Sequence, residues 1–306
     1  MENKNGIDTR IRKMFLFAST FILTICAQGC KGPAVQASPV NGDPGKADTT
    51  VMIHPDHIIF LWLENKDYYR IIKNRSAPFI NSLVKKGTLF TNTYAITHPS
   101  YPNYIDFFAG QDNGITSDAC IYDSMLTTPN LYSILKNAGK SFAWYSEDLP
   151  GMGSKICTYM YYVEKHNPTT VFANVPASAN KPFSDFPTDY NQLENVVNIS
   201  PNIVNDMHSG TIEQADNWFK EHLAALADWC TTHNSVFVIY FDESESANDN
   251  RIPVIAVGQQ VKPAYRSATL YDHFSWTKTI SAMFGAPDTW TGNLKAAKLI
   301  TGCWKE

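Results

Sequence analysis

Two seven-residue runs constrain this chain more than anything else in it. His57–Leu63 (HIIFLWL) and Ser235–Phe241 (SVFVIYF) are almost wholly apolar, and each runs directly into acid, Glu64-Asn65 after the first and Asp242-Glu243 after the second. Strands that alternate polar and apolar residues have one wet face, whereas near-continuous apolar runs of this length belong to strands covered on both faces. Between them, strand-like and helix-like stretches alternate. Ser76–Lys86 reads as a helix with Ser76 as its cap, Pro78 in its first turn and Gly87 as its stop; Thr88–Ala95 reads as a strand; Pro102–Ala109 and Pro129–Ala138 read as helices ended by Gly110 and Gly139. Ser141–Tyr145, Val196–Ser200 and Pro253–Val257 read as strands, and Phe274–Phe284 as a closing helix. Thr211–Cys230 is the clearest helix, with Thr211 and Gln214 at capping-box spacing. This alternation predicts an α/β fold with a central, mostly parallel sheet and helices on both faces. Residues 150–195, rich in Asn, Pro, Ser and Tyr, read as loops over one face of a single domain spanning 51–306.

The first fifty residues are of another kind. Arg10, Arg12 and Lys13 precede an apolar run from Met14 to Ala27, too short for a comfortable membrane span and typical of an export signal. The run closes in Ala27-Gln28-Gly29-Cys30, the pattern of a lipoprotein cleavage site with Cys30 as the lipidated residue, so residues 1–30 are expected to be a signal peptide. Residues 31–50 are rich in Gly, Pro, Ala, Ser, Asp and Lys and read as a flexible tether. The expected destination is outside the cytoplasm: periplasm, outer membrane by lipid, or the medium. In that setting the four remaining cysteines, Cys120, Cys157, Cys230 and Cys303, allow three disulfide pairings, of which Cys120–Cys157 with Cys230–Cys303 is favoured. None forms a C-x-x-C pair, which argues against a zinc cluster. A net charge of −4 leaves no basic surface for nucleic acid.

Open α/β sheets bind ligands beyond the carboxyl ends of their strands. Four such ends deliver polar groups here: Glu64-Asn65; Thr97 to Tyr104 with Ser100 and Asn103; Pro201 to His208 with Asn202, Asp206 and His208; and Asp242-Glu243. Singly, each has an ordinary explanation as a turn, a cap or a solvated loop. His273 alone would be an unremarkable helix-start residue, and His98, His166, His222 and His233 are more weakly placed. Together the four ends make a set suited to phosphoryl transfer. A divalent ion such as Zn²⁺, Mg²⁺, Mn²⁺ or Ca²⁺ neutralises the anionic ester, a serine at a helix N-terminus supplies the nucleophile, and an Asn donates to phosphate oxygens.

Several blocks in order resemble one family. Leu63-Glu64-Asn65, Ala77 to Leu83, Thr97 to Tyr104, Thr116-Ser117-Asp118 with Cys120, Glu147 to Pro150, Lys165-His166-Asn167-Pro168, Pro201-Asn202 with Asn205 to His208, Asp242-Glu243 and Asn250 to Pro253 are similar to the bacterial and fungal phosphoesterases, which include secreted acid phosphatases and phosphatidylcholine-type phospholipases C. Val204 and Ser209 stand where many relatives carry cysteine, and Ser244-Glu245-Ser246 where a glycine often follows the acidic pair. The resemblance implies an alkaline-phosphatase-like fold and Ser100, rather than Thr97, as nucleophile. It implies one metal held by Glu64, Asn65, Ser100, Asp242 and Glu243, with Asp206, His208 and His273 at positions that hold or replace a second. Asn65, Asn103, Asn202 and Arg251 are the expected substrate contacts, and Asn103, Asp206, His208 and His273 the expected catalytic partners of Ser100. The implied activity is metal-dependent hydrolysis of phosphate monoesters through a phosphoserine. The alternative is a phospholipase C-type phosphodiesterase, for which Tyr159, Tyr161, Tyr162, Phe172, Phe183 and Phe186 would hold a lipid or aromatic leaving group. A ligand-binding lipoprotein on the same scaffold would have no need of Ser100.

Overall fold

A computed structural model describes residues 51–123, 125–246, 249–287 and 290–305. The expected signal peptide, Cys30 and the tether lie outside the described residues. In chain order the elements are β1 (His57–Leu63), α1 (Tyr68–Ile71), α2 (Pro78–Lys86), β2 (Thr88–Tyr94), α3 (Ser100–Ala109), α4 (Leu131–Asn137), β3 (Phe142–Ser146), β4 (Thr158–Tyr159), β5 (Tyr162–Val163), β6 (Asn180–Pro182), β7 (Val196–Ser200), α5 (Ile212–Cys230), β8 (Ser235–Phe241), β9 (Arg251–Gly258), β10 (Tyr265–Ser267), α6 (His273–Met283) and α7 (Gly292–Ala296).

Eight strands form one sheet in the order β10-β2-β9-β8-β1-β7-β3-β6. Every pairing in it is parallel except those of β9 with β8 and β2, so β9 alone runs the other way. The carboxyl ends of β1, β2, β3, β7 and β8 therefore share one edge, and the start of β9 at Arg251 meets them there. Register places Phe60 beside Val238 and Trp62 beside Tyr240. Side chains alternate across a strand, so these four line one face, and Ile59 and Phe237 line the other. On the first face α3 and α6 pack, with Phe107 5.2 Å from Phe60 and Trp276 5.3 Å from Phe60, ring centre to ring centre. On the second, Phe219 of α5 stacks on Phe237, with Phe79 of α2 behind it. That double cover is what the apolar runs of β1 and β8 require.

Helix α3 begins two residues earlier than Pro102 suggests. Its cap is Pro99, and Pro102 falls in the first turn, where a missing N–H deletes no helical bond. All ten of its residues are buried, and it ends on Gly110 in the left-handed conformation. Helix α2 is not capped by Ser76. Instead the buried Asp216 reaches across from α5 and accepts from the N–H groups of Phe79 (2.9 Å) and Ile80 (2.8 Å). Thr211 does cap α5, accepting from Gln214 N at 3.1 Å. The short strands β4, β5, β6 and β10 carry no sequence signal, since two or three residues cannot display a period.

Cys120 and Cys157 are joined in a disulfide, with Cα atoms 5.7 Å apart. The expected Cys230–Cys303 bridge is not formed, and both residues are buried thiols. The chain from Gly258 to Lys262 runs past both, for Gln259 N donates to Cys230 O and Lys262 N to Cys303 O. Burial pushes the Cys230 thiol well above its ordinary pKa, as expected of an inert core cysteine. An even cysteine count thus gave one bridge and two packing residues.

Candidate active site

At the shared carboxyl edge the strand ends are tied by their own backbones. Glu64 N donates to Asp206 O at 2.7 Å, and Asp242 N to Leu63 O at 3.2 Å. Asn65 adopts a left-handed conformation (φ 41°), which asparagine tolerates better than most residues, and its N–H donates to Asp242 Oδ1 at 3.2 Å. Ser100 starts α3 at the centre of this edge and is fully buried. Its Oγ lies 2.9 Å from Glu243 Oε1, 3.0 Å from Glu64 Oε2 and 3.4 Å from Asn65 Oδ1. The five residues Glu64, Asn65, Ser100, Asp242 and Glu243 therefore converge from β1, α3 and β8.

Glu64 faces two ways. Its other oxygen, Oε1, accepts a short bond from the Tyr104 hydroxyl and lies 3.3 Å from His166 Nε2. His166 Nδ1 is 3.0 Å from Asp206 Oδ2, so Glu64, His166 and Asp206 form a buried trio whose ligand atoms all lie within 4.8 Å of one another. Neither His166 nitrogen is in hydrogen-bonding geometry, and Asp206 Oδ2 and Asp242 Oδ2 likewise lack a partner. Burial, reinforced by Lys165, drives the imidazole well below its usual pKa, so it is neutral and these contacts are not ion pairs. Buried polar atoms are rarely left unpaired. A neutral imidazole and carboxylates aimed at one point form a donor set that fits a divalent cation with oxygen and nitrogen preferences.

The acids show the same deficit of positive charge. Burial, then Asp242 and Asp206, hold Glu64 well above the usual carboxylate range. Burial raises Asp206 to about 8 despite the His208 N–H bonded to it; burial and Glu243 raise Asp242 to about 8; burial raises Glu243 to about 7. An unfolded chain would ionise these groups near pH 4, so between there and pH 8 it gives up protons before the folded protein does. With more protons on the folded side, cation-free stability falls as pH rises through that window. A saturating divalent ion reverses this, adding about 4 kcal/mol at a thousand times its dissociation constant. We expect the melting temperature of the chelated protein to fall by several degrees from pH 5 to pH 8. A divalent ion should raise it by on the order of 10 °C at pH 8 and by far less at pH 5. Scanning calorimetry with and without metal checks this, and equal metal effects at both pH values would contradict it.

Other expected site residues stand around this centre. Asn103 Oδ1 accepts from the N–H groups of Ile96 and Thr97, while its Nδ2 donates to Thr97 O and Pro99 O, so its amide braces the loop before Ser100. Asn202 is spent in the same way, bonded to Asp148 and to the N–H groups of Val204 and Asn205. Arg251 lies over the Tyr68 ring, 4.1 Å away, and donates to Tyr69 and to Thr91 O. His208 stands at the rim, its Nε2 3.4 Å from Lys165 Nζ. His273 is buried, with Nδ1 2.7 Å from the Tyr240 hydroxyl and Nε2 2.7 Å from the Asp242 carbonyl, and it holds the strand end that carries Asp242. Of the aromatic residues in the middle segment, Tyr162 and Phe172 are buried, Phe183 and Phe186 pack against the core, and Tyr159 and Tyr161 are exposed.

The sequence reading gave no role to His166, Tyr104, His98, Lys165 or Asp118. His98 Nδ1 makes a short contact to Glu243 Oε2, on the carboxylate whose other oxygen faces Ser100. Lys165 Nζ donates to Asp118 Oδ2 at 2.6 Å, and Asp118 Oδ1 accepts from Tyr101 N beside Ser100. The one signal for His166 and Lys165 was the block Lys165-His166-Asn167-Pro168, which sits in a loop where periodicity says nothing.

The profile of the phosphoesterase family matches residues 60–287. Among relatives, a phosphatidylinositol-3-phosphatase of Mycobacterium tuberculosis is 40% identical over 250 residues, covering 81% of this chain and 82% of the relative. A phosphate-repressible acid phosphatase of Penicillium chrysogenum is 30% identical over 278 residues, covering 84% of this chain but 64% of the relative, so this chain spans under two thirds of that longer protein. Similar folds include a protein of the alkaline phosphatase superfamily from Vibrio parahaemolyticus (TM-score 0.51, 11% identity, 81% of this chain and 72% of that one). The murine ectonucleotide pyrophosphatase/phosphodiesterase 5 is another (TM-score 0.54, 10% identity, 78% and 97%). At such identities these two speak for the fold alone. The fold is that of the alkaline phosphatase superfamily: the strand alternation implied its mostly parallel sheet, and the family resemblance its particular form.

Proposed function

This chain belongs to the phosphoesterase family and is a phosphoric ester hydrolase, and from that premise we propose that it cleaves phosphate monoesters through a phosphoserine on Ser100 with a divalent cation at Glu64, His166 and Asp206. The observation that carries the proposal is a buried serine hydroxyl at a helix start, about 3 Å from two carboxylates and beside that trio. The cation would neutralise phosphate oxygens and favour the ionised hydroxyl. Glu243 Oε1 is placed to take the Ser100 proton, with His98 on its other oxygen. Ser100 Oγ then bonds to phosphorus as the ester P–O bond breaks, and the leaving oxygen takes a proton. Water cleaves the phosphoserine, releasing inorganic phosphate and restoring the hydroxyl. Lys165, Asn65 and the positive end of the α3 dipole supply positive potential for the phosphate.

Turnover on a generic aryl phosphate against an aryl phosphocholine tests this reading. The monoester should be hydrolysed at least tenfold faster, on the order of 1.4 kcal/mol in transition-state stabilisation. A preference for the phosphocholine ester would favour a phospholipase C-type activity instead.

We further propose export, with residues 1–30 as the signal, 31–50 as tether and 51–306 as catalytic domain. No helix among the described residues is long and apolar enough to cross a membrane. Cys30→Ser should move the protein from the membrane fraction to the soluble one if Cys30 carries lipid. A mature N-terminus at any residue other than Cys30, read by mass spectrometry, would rule the lipoprotein reading out.

A further inference from the structure

Two loops beside the active site expose large apolar side chains. One is the arm 119–126, where Tyr122 is 79% and Met125 69% exposed. The other is the arm 150–163, where β4 and β5 form a two-residue hairpin with Met160 and Tyr161 at its tip, 71% and 54% exposed. Ile156 and Tyr159 on the same arm are also exposed, and the Cys120–Cys157 disulfide staples the two arms together. Single exposed apolar residues are ordinary, whereas a group of this size on cross-linked loops marks an interaction surface.

The hairpin tip is the most telling. Met160 sits at φ 52°, the left-handed region, in the first of the two turn positions. Glycine is the usual occupant there, and a methionine is strained as well as wet. Nothing in the local backbone calls for Met-Tyr at this tip.

Both arms are fastened to the catalytic centre. Tyr161 O accepts from Ile203 N in the loop that carries Asp206, and β5 leads through Glu164 directly to His166. Glu164 Oε1 accepts from the hydroxyl of Tyr101, the neighbour of Ser100, and its Oε2 from Ile121 N. On the first arm's approach, Asp118 accepts from Tyr101 N. The exposed apolar side chains thus form a crest on arms fastened next to the residues of the site. The only ionisable side chains of the acid and base type on the two arms are Asp123 and Lys155, one of each sign. A neutral, aromatic- and methionine-rich crest suits partial insertion into the headgroup region of an uncharged surface, where Tyr rings settle, and not attraction by charge.

We propose that this crest docks the enzyme on a zwitterionic phospholipid surface, so that phosphate monoesters anchored in that surface meet Ser100 without leaving it. The proposal rests on the phosphomonoesterase reading for its substrate, but the docking itself does not depend on turnover.

The test uses the full chain, a Met160→Gly/Tyr161→Ser variant and a Tyr122→Ser/Met125→Ser variant. Glycine relieves the strained turn, so loss of folding is not the expected result of the first. Flotation with phosphatidylcholine vesicles measures docking. The ratio of turnover on phosphatidic acid diluted in those vesicles to turnover on a soluble aryl phosphate measures delivery. Soluble turnover should stay within twofold of the unaltered protein, while flotation weakens and the ratio falls roughly tenfold in each variant. A fall of less than threefold in both variants overturns the docking proposal, as it would if the crest instead bound another protein. If the unaltered chain hydrolyses neither substrate, the monoesterase reading fails and flotation alone decides: variants that float like the unaltered chain overturn docking, and variants that do not support it.

Discussion

Ser100→Ala should lower turnover on an aryl phosphate by about 10³-fold or more, several kcal/mol of transition-state stabilisation, while metal content and melting temperature stay close to those of the unaltered chain. The expectation follows from what the hydroxyl touches. Its oxygen lies within hydrogen-bonding distance of both Glu64 and Glu243, and removing it leaves those carboxylates in place with one fewer neighbour. Thr97 offers a contrast close in sequence. Its hydroxyl bonds the neighbouring His98 carbonyl at 3.2 Å and faces neither carboxylate, so Thr97→Ala should cost severalfold at most. Phosphate trapped on the protein during turnover, and absent from the Ser100→Ala protein, would locate the covalent step. If Ser100→Ala turns over normally and Thr97→Ala does not, the nucleophile is wrongly assigned; if neither matters, water attacks directly.

Asp242→Ala is the second large effect. Asp242 is fully buried, its Oδ1 accepts from Asn65 N, and its Oδ2 has no partner among the described residues. Burial and the adjacent Glu243 raise its pKa to about 8, so at neutral pH it is an acid held where its charged form is disfavoured. Without a cation, removing it relieves repulsion, and the chelated variant should melt no lower than the chelated parent at pH 8. With a cation, it removes a ligand or an immediate neighbour of one. Metal retained after gel filtration should drop to about a tenth or less, and turnover should fall by about 10³-fold, as expected when a carboxylate next to the cation's ligand Glu64 is lost. Stoichiometric metal in the variant would remove Asp242 from the cation site. His273→Ala provides a graded comparison, because the His273 ring nitrogens bond the Asp242 carbonyl and the Tyr240 hydroxyl, and it should weaken metal retention less than Asp242→Ala does.

How much of this was legible beforehand depended on the kind of signal each residue carried. Glu64 and Asp242 could be picked out because each follows a seven-residue run with six apolar residues, and because the two ends fall among four that deliver polar groups together. Ser100 could be singled out by the family resemblance of the segment Ser100 to Tyr104, since a serine two residues before a proline suggests only a helix start. His166 could not, for it lies in a turn between a two-residue strand and an irregular loop, and only the folded chain brings it within 3.3 Å of Glu64. Asn103 shows the opposite error. Its type and place suited a phosphate contact, yet all of its hydrogen-bonding capacity is used on the backbone of residues 96–99. Residue type says what a side chain can bond, and only the fold says whether the bonds are already made. Cys230 and Cys303 repeat the lesson, since an even count cannot distinguish a bridge from two well-packed thiols.

Helix α3 is buried along its whole length, from Ser100 through Ala109, with α6 and the turns at 164–166 and 168–171 packed against it. The centre and the arms beside it therefore differ in how freely they can change over time. Ser100, Glu64 and Asp242 are set in the most crowded part of the molecule, where altering one methylene is felt throughout the packing. His166 is buried with them, whereas the stapled arms hang at the surface from loops that tolerate insertion and replacement. Descendants of such a chain can acquire new substrates by rewriting those arms alone, with Ser100, the acids around it and His166 inherited intact.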